Sequence, residues 1–337
     1  MPVLLKNKSQ AAGALYTAAI ALYFVLSLVG GAILSVLPQD SFARTAISPL
    51  FAAVALCSVS FLSVKAYGAV GTVDAVGEPS RNREEKPICR SYKAIFGYKK
   101  FKPAYLLAAV LIAAGIFCGL GFINTAFAEL LAKIGVNLPN AEIKINGAGE
   151  YIILSFTLAV IPAIAEETFF RGAIAFGTSG AKLFAGAAFS GLIFALYHCS
   201  LSQLLYQFIY GAILYILAKK SGSVFPSAVA HFLNNFAVIT LTFFGAEVNL
   251  FSPVLIASGI AALMLAAALI FFIDRKAVRD TVERGKTAEK ATATEAGKSK
   301  TTKEAENEEK FSVKDFFLPF GAVGVLACVL MGAASLL

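Results

Sequence analysis

The chain has 337 residues, of which 58% are hydrophobic and 15% charged, and its mean hydropathy is +0.74. A water-soluble domain of this length could not bury so much apolar surface, so the composition is that of a membrane protein. The formal net charge of +8 does not indicate nucleic-acid binding, because basic residues in such a chain report which side of the bilayer a loop faces. The odd set of cysteines lacks C-x-x-C spacing and indicates neither a disulfide framework nor a zinc cluster. These are Cys57, Cys89, Cys118, Cys199 and Cys328.

Nine apolar segments approach the roughly 20 residues that a helix needs to cross a bilayer. The first is too long for the apolar part of a secretion signal, so we predict that it is retained as a span. We therefore predict an all-α, polytopic membrane protein with about eight to nine transmembrane helices around a polar intramembrane cavity. The segments are residues 11–37, 46–64, 104–123, 151–170, 183–198, 203–218, 225–244, 253–273 and 316–337.

Lysine and arginine follow a pattern along the loops. With alternating spans, the lysine-rich and arginine-rich loops all fall on one side of the membrane, and Arg44 is the only basic residue in the two short loops opposite. The positive-inside bias predicts that the N-terminus and these basic loops are cytoplasmic in a multi-pass integral membrane protein. The basic segments are residues 6–8, 65–102, 219–220 and 275–279.

Two segments between the predicted spans differ from the spans in composition. Residues 126–134 form a short amphipathic piece that we expect at the outer interface. Residues 284–310 are rich in Lys, Glu, Ala and Thr without any aromatic residue, so we expect a disordered tether. The predicted organisation is N-terminal helices 1–123, interfacial segment 124–150, catalytic core 151–244, an additional helix 245–273, a disordered charged linker 274–315 and a C-terminal helix 316–337.

The stretch 163–172, A-I-A-E-E-T-F-F-R-G, ends an otherwise uncharged run with two glutamates and an arginine. Carboxylates at membrane depth are costly and rare unless they are paired or used. Glu167 and Arg171 are four residues apart, so on a helix they share a face and can form an ion pair. Glu166 is offset by about 100°, which leaves it unpaired and suited to accept a proton from water. The alternative is that both glutamates merely solvate a helix end.

The only two histidines of the chain both lie in apolar segments. His198 closes F-A-L-Y-H, and His231 opens H-F-L-N-N, in which Asn235 follows on the same helical face. A single histidine on an apolar helix is more often a hydrogen-bonded core residue than a catalyst. Two of them, with an asparagine and a glutamate pair on nearby helices, predict that these separated polar groups form one site.

In this order and on separate helices, E-E-T-F-F-R, F-A-L-Y-H and H-F-L-N-N resemble the three motifs of the CAAX protease and bacteriocin-processing family, the Abi family of intramembrane proteases. The similarity covers about residues 151–244. It implies that Glu166 activates water and that His198 helps to position it. It also implies that His231 and Asn235 stabilise the oxyanion, while the pair formed by the second glutamate and the arginine holds the first motif in place.

The resemblance implies an endopeptidase that acts on a peptide or protein at the membrane, either a prenylated C-terminal tail or a bacteriocin-like peptide. Its implied partners are this substrate and the lipid bilayer. Zinc stays open as a cofactor, because Glu166, His198 and His231 are donor types found at catalytic zinc sites with an open position. Asparagine is an unusual zinc ligand and H-E-x-x-H is absent, so we favour glutamate-dependent chemistry over a metalloprotease.

Three alternatives compete with this prediction. Residues 177–180, G-T-S-G, resemble the serine motif of rhomboid proteases with His231 as the base. A polar turn explains the same residues, and the serine hypothesis leaves Glu166 and His198 without a role. A carrier or immunity protein would also use buried glutamate and histidine, and a scaffold would use its basic loops to recruit a partner or anionic lipid.

One geometric expectation opposes the predicted site. If the helices that carry Glu166 and His198 were a straight antiparallel pair, the two residues would differ in depth by roughly 10 Å. Pro162 lies one turn before Glu166 and is the predicted position of a kink.

Overall fold

The computed structural model describes residues 5, 7–38, 41–70, 92–136, 143–293 and 311–334, and all regular elements within these ranges are helical. Helices are expected here because a helix satisfies its own backbone hydrogen bonds inside a bilayer. The helices are α1 (Lys8–Leu34), α2 (Phe42–Val70), α3 (Tyr92–Phe96), α4 (Ala104–Lys133), α5 (Ala148–Gly177), α6 (Leu183–Tyr197), α7 (Leu204–Ser221), α8 (Phe225–Phe243), α9 (Pro253–Ala293), α10 (Val313–Phe316) and α11 (Ala322–Ala334).

Within the described ranges, five helices are long and apolar enough to cross a membrane. They are Lys8–Leu34, Phe42–Gly68, Ala104–Lys133, Ala148–Gly177 and Pro253–Lys276. α6 and α11 are apolar but shorter, while α7 and α8 have 18 and 19 residues. Each of the nine predicted spans is helical over most of its described residues, so the all-α, polytopic membrane fold is confirmed.

Two of the segments between the predicted spans are partly helical. α4 runs unbroken to Lys133, so residues 126–133 continue the helix of the third predicted span, and their place at the outer interface stays a prediction. α9 runs to Ala293, so residues 274–293 of the predicted disordered linker are helical. Ala, Glu and Lys are good helix formers, and extending an existing helix avoids the cost of nucleation. The tether residues 294–310 lie outside the described ranges.

Polar contacts draw several helix ends together at one end of the bundle, which we call the basic end. Lys220 Nζ lies 2.7 Å from Asp274 Oδ2, and the Tyr105 hydroxyl donates to Asp274 Oδ1 at 3.1 Å. Asn7 Nδ2 donates to Asp315 Oδ2 at 3.1 Å. The basic side chains of this end include Lys8, Lys99, Lys102, Lys219, Lys220 and Lys276. Basic loops thus gather on one side, as alternating spans predict, and their cytoplasmic location stays a prediction.

α5 is the central helix. It packs against α1, α2, α3, α7 and α8, and the side chains of Phe169, Phe170 and Ala173 are fully buried along it. Residues 165–175 are all buried or nearly so, so polar side chains in this half of α5 meet other helices before they meet lipid. This position explains how carboxylates can be accommodated at this depth.

The closest helix crossing joins α4 and α9 through glycine. Gly115 and Gly119 form a G-x-x-x-G pair on α4 that faces Gly259 on α9, and a Cβ on Gly259 would overlap the backbone of Gly119. Small residues at such crossings let two helix backbones approach and gain van der Waals contact.

We therefore expect Gly259→Ala to destabilise the protein by about 1–3 kcal/mol, since α9 must move away from α4. Gly31→Ala on α1 is the matched control, because a Cβ there meets nothing within 4 Å. The control should be neutral or slightly stabilising, as alanine is the better helix former. Denaturant unfolding in detergent micelles measures both, and equal stability of the two variants would contradict the close crossing.

Candidate active site

Two stretches of wider π-helix interrupt α5 around the first motif. They are Ser155–Val160 and Thr168–Ile174, and the α-helical turn Ile161–Glu167 lies between them. Pro162 stands at the start of that turn, where its missing N–H is tolerated. π-helical turns accompany functional sites in many helices. The transition from π-helix to α-helix falls at Pro162, and the predicted kink at this residue stays a prediction.

Arg171 and Glu167 form the ion pair that their spacing predicted. Arg171 Nη1 lies 2.9 Å from Glu167 Oε1, and both side chains are fully buried. Arg171 Nη2 also donates to the carbonyl of Gly211 on α7 at 2.9 Å, and its guanidinium lies 4.4 Å from the centre of the Phe194 ring on α6. The arginine therefore joins three helices, and each of these contacts compensates part of the cost of burying its charge.

His231 on α8 contacts the same carboxylate oxygen. Its Nδ1 lies 3.1 Å from Glu167 Oε1, across 64 residues of sequence. A carboxylate paired with a guanidinium can only accept, so Nδ1 of His231 is the donor. In the neutral ring Nε2 is then the nitrogen without a proton. The sequence did not reveal this contact, because it joins residues on different helices.

His198 follows the last residue of α6 and is held by its own helix. Its Nδ1 lies 2.9 Å from the carbonyl oxygen of Phe194, which fixes Nδ1 as the donor and leaves Nε2 unprotonated in the neutral ring. The phenylalanine of the F-x-x-x-H motif therefore has two physical roles. Its backbone orients the histidine, and its ring covers the guanidinium of Arg171.

Glu166 faces both histidines. Its Oε2 lies 3.9 Å from His198 Nε2 and 3.8 Å from His231 Nε2, and this oxygen has no hydrogen-bond partner among the described residues. These separations exceed a direct hydrogen bond of about 2.7–3.2 Å. Glu166 Oε2 and the two Nε2 atoms of the neutral rings are all acceptors, so they cannot bond to one another. A donating group can bridge them, and water has two protons to donate. The arrangement is thus able to hold a water molecule against a carboxylate base.

A cavity of about 60 Å³ adjoins Glu166, between α5 and α2. Pro49, Ala53 and Leu56 of α2 contribute to its wall, and Glu166 is its polar lining residue. A buried water needs roughly 10–15 Å³ of accessible space and two or more polar partners. The cavity is therefore large enough for water, although neither His198 nor His231 lines it.

The expected depth difference of roughly 10 Å between Glu166 and His198 is absent at the ends of their side chains, since Glu166 Oε2 and His198 Nε2 lie 3.9 Å apart. The expectation assumed that α5 and α6 pack side by side as a straight hairpin. α6 instead packs mainly against α7 and α11. Counting residues along a hairpin therefore does not measure the distance between these two side chains.

Asn235 is bonded to the backbone of α5 and not to a side chain of this cluster. Its Nδ2 donates to the carbonyl of Leu158, in the first π-helical stretch, at 3.2 Å. Its neighbour Asn234 is more deeply buried and accepts a hydrogen bond from the Tyr206 hydroxyl at 2.9 Å. The structure thus gathers Glu166, Glu167, Arg171, His198 and His231, and places Asn235 beside them with one N–H already engaged. Tyr206 carried no sequence signal.

The zinc and serine alternatives receive no support from this geometry. Among the described residues, no group of three His, Cys, Asp or Glu side chains is arranged to hold a metal ion, although Glu166, His198 and His231 are suitable donor types. No step below is therefore assigned to a metal. The serine hypothesis needs His231 as the base for Ser179. Ser179 lies in the turn after α5 at the basic end, whereas both ring nitrogens of His231 face Glu166 and Glu167.

Comparison with known families adds a separate finding. Residues 148–237 match the family model described as Type II CAAX prenyl endopeptidase Rce1-like. The resemblance to CAAX proteases is thereby confirmed. This Rce1-like region extends from the start of α5 into α8 and contains the residues gathered above. No match was found among curated proteins or among solved structures. At the family level, the chain is similar to a protease embedded in the membrane.

We expect Arg171→Met to destabilise the protein by about 3–5 kcal/mol, because Glu167 then remains as an uncompensated buried charge. Lys220→Met is the matched control, since the Lys220–Asp274 pair is about one third exposed and such pairs contribute roughly 0–1 kcal/mol. Unfolding in detergent micelles measures the free energy of unfolding of both variants. An Arg171 variant no less stable than the control would show that the buried pair does not hold α5 in place.

Proposed function

We propose that the chain is an intramembrane endopeptidase that hydrolyses a peptide bond with water activated by Glu166. The observation that carries this proposal is the buried Glu166 carboxylate, which faces two imidazole nitrogens without a direct partner. Water held between Glu166 and His198 donates its proton to Glu166 as its oxygen attacks the carbonyl carbon of the substrate. Glu166 then returns the proton to the leaving amide nitrogen as the C–N bond breaks, without a covalent intermediate.

The tetrahedral intermediate carries an oxyanion that requires donors. Asn235 has a second N–H beyond the one bound to Leu158. His231 donates from Nε2 when its ring carries both protons, and the Glu167 carboxylate on Nδ1 stabilises that charged form. Glu167 and Arg171 act as positioning residues, since they contact His231 and the helix rather than the substrate.

The family description suggests the substrate class. A prenylated C-terminal CAAX sequence is the first candidate, and a bacteriocin-like or other membrane peptide is the second. The side chain of His198 is 19% exposed, more than that of Glu166 or His231. We propose that the peptide approaches from the side of His198, where the cluster is most open.

Glu166→Gln should abolish cleavage of a prenylated CAAX peptide by the protein in liposomes, because the amide cannot accept the proton of water. His198→Ala and His231→Ala should each abolish cleavage as well. Glu129→Gln, on the exposed part of α4, is the matched control and should keep full activity. Thermal unfolding confirms that the variants are folded.

Wild-type turnover in the Glu166 variant would contradict the mechanism. If the probe is not cut by the wild type, membrane peptides that accumulate in cells carrying Glu166→Gln identify the substrate. Proton flux without any peptide product would favour the carrier alternative.

The two neighbouring asparagines allow a second test. Asn235→Ala should lower kcat by about 10²–10³-fold, the typical loss of one oxyanion donor, with little change in KM. Asn234→Ala should leave kcat nearly unchanged and reduce stability, because Asn234 is bonded to Tyr206. Equal kcat in both variants would assign Asn235 to the packing of α8 on α5.

A further inference from the structure

Tyr197 is the fourth residue of F-A-L-Y-H, and the mechanism proposed above makes no use of it. It is the last residue of α6 and is only 5% exposed. Its hydroxyl has no hydrogen-bond partner among the described residues. Buried polar groups are nearly always hydrogen-bonded in native proteins, because a buried group without a partner loses its water without a replacement. The hydroxyl of Tyr197 is therefore suited to a partner that the chain itself does not supply.

The ring of Tyr197 lies beside two of the three motifs. It makes edge contacts with the ring of His198, with centres 5.6 Å apart, and with the ring of Phe170, with centres 5.4 Å apart. Phe170 lies about one helical turn after Glu166 on α5. Tyr23 of α1 also contacts the ring, with centres 5.9 Å apart. Side chains from α1 and α5 thus hold this ring of α6 next to the catalytic cluster.

The Tyr197 hydroxyl and the Glu166 carboxylate are electrostatic neighbours. Of the titratable side chains that act on this hydroxyl, Glu166 contributes most, ahead of Tyr23 and two nearby cysteines. The two groups are not bonded to each other, since the Tyr197 hydroxyl and Glu166 Oε2 both lack a hydrogen-bond partner among the described residues. The carboxylate accepts and the phenol hydroxyl is able to donate. A molecule that offers one donor and one acceptor satisfies both groups.

Peptide hydrolysis brings such a donor and such an acceptor together. The attacking water gives its proton to an acceptor, while negative charge develops on the carbonyl oxygen and requires a donor. Each donor assigned above has a second demand on it. Asn235 shares its amide with Leu158, and His231 donates from Nε2 only when its ring carries both protons. A phenol carries its proton at neutral pH, and tyrosine is among the side chains that stabilise oxyanions.

We propose that Tyr197 is a further catalytic residue, whose hydroxyl donates to the carbonyl oxygen of the scissile peptide bond and to the oxyanion that forms from it. The inference rests on the proposed function and adds a donor to its mechanism. Tyr197 adjoins His198, whose side chain is more exposed than those of Glu166 and His231. A peptide that approaches from the side of His198 therefore meets this hydroxyl as it reaches Glu166.

The test compares two tyrosines whose hydroxyls are both buried without a partner among the described residues. Tyr197→Phe removes the hydroxyl beside the cluster and keeps the ring. Tyr215→Phe is the matched control, because Tyr215 is 1% exposed and its hydroxyl lies against Gly186, about 16 Å along α6 from Tyr197. Both variants should unfold at or above the wild-type temperature, since an unpartnered buried hydroxyl does not stabilise the fold.

Cleavage of a prenylated CAAX peptide in liposomes is the first measurement. Tyr197→Phe should lower kcat by about 10²–10³-fold, the typical loss of one oxyanion donor, with little change in KM. Tyr215→Phe should keep the wild-type kcat.

A peptide with a thioamide at the scissile bond gives a second measurement that ring packing does not change. Sulfur is a weak acceptor, so replacing C=O by C=S removes most of the effect of a donor. The ratio of kcat/KM for the amide to kcat/KM for the thioamide should be about tenfold smaller in Tyr197→Phe than in the wild type. The ratio should be unchanged in Tyr215→Phe.

The outcomes separate this inference from the proposed function. Wild-type kcat in Tyr197→Phe, or a lower kcat with the wild-type amide-to-thioamide ratio, would overturn the role of Tyr197 while the proposed function stands. A wild-type protein that cleaves neither the prenylated peptide nor the peptides that accumulate with Glu166→Gln would overturn the proposed function, and this inference with it.

Discussion

The buried guanidinium of Arg171 is the constraint on which the rest of the site depends. It lies 2.9 Å from Glu167 Oε1 and 2.9 Å from the carbonyl of Gly211, so it fixes α5 against α7. The same glutamate oxygen accepts from His231 at 3.1 Å and fixes α8. A buried charge that loses its partner is strongly destabilising. The three helices are therefore held in the one register that keeps all these groups paired.

This register gives two adjacent glutamates different chemistry. Glu167 Oε1 lies 2.9 Å from Arg171 Nη1 and 3.1 Å from His231 Nδ1, whereas the histidine nitrogens that face Glu166 Oε2 lie 3.8 and 3.9 Å away. Both are buried, so the difference comes from their neighbours and not from their depth. Because Glu167 holds His231 through Nδ1, the other ring nitrogen faces Glu166. Glu167 thus determines which ring nitrogen of His231 faces Glu166.

The site is built by one region of the chain and closed by another. The Rce1-like region, residues 148–237, supplies the helices that carry the polar cluster, while α2 closes the small cavity beside Glu166. A helix outside the Rce1-like region therefore also shapes the surroundings of Glu166.

The sequence by itself determined the helices, because apolar runs must satisfy their backbone inside a bilayer, and it determined the Glu167–Arg171 pair, because residues four apart meet on one helical face. It also predicted that the two histidines and Glu166 belong to one site. Tertiary structure decided the Glu167–His231 bond, the Arg171–Gly211 bond and the attachment of Asn235 to Leu158. Those partners lie on different helices, 40 to 77 residues apart. Local spacing rules act over about one helical turn, so only the packing of whole helices could select them.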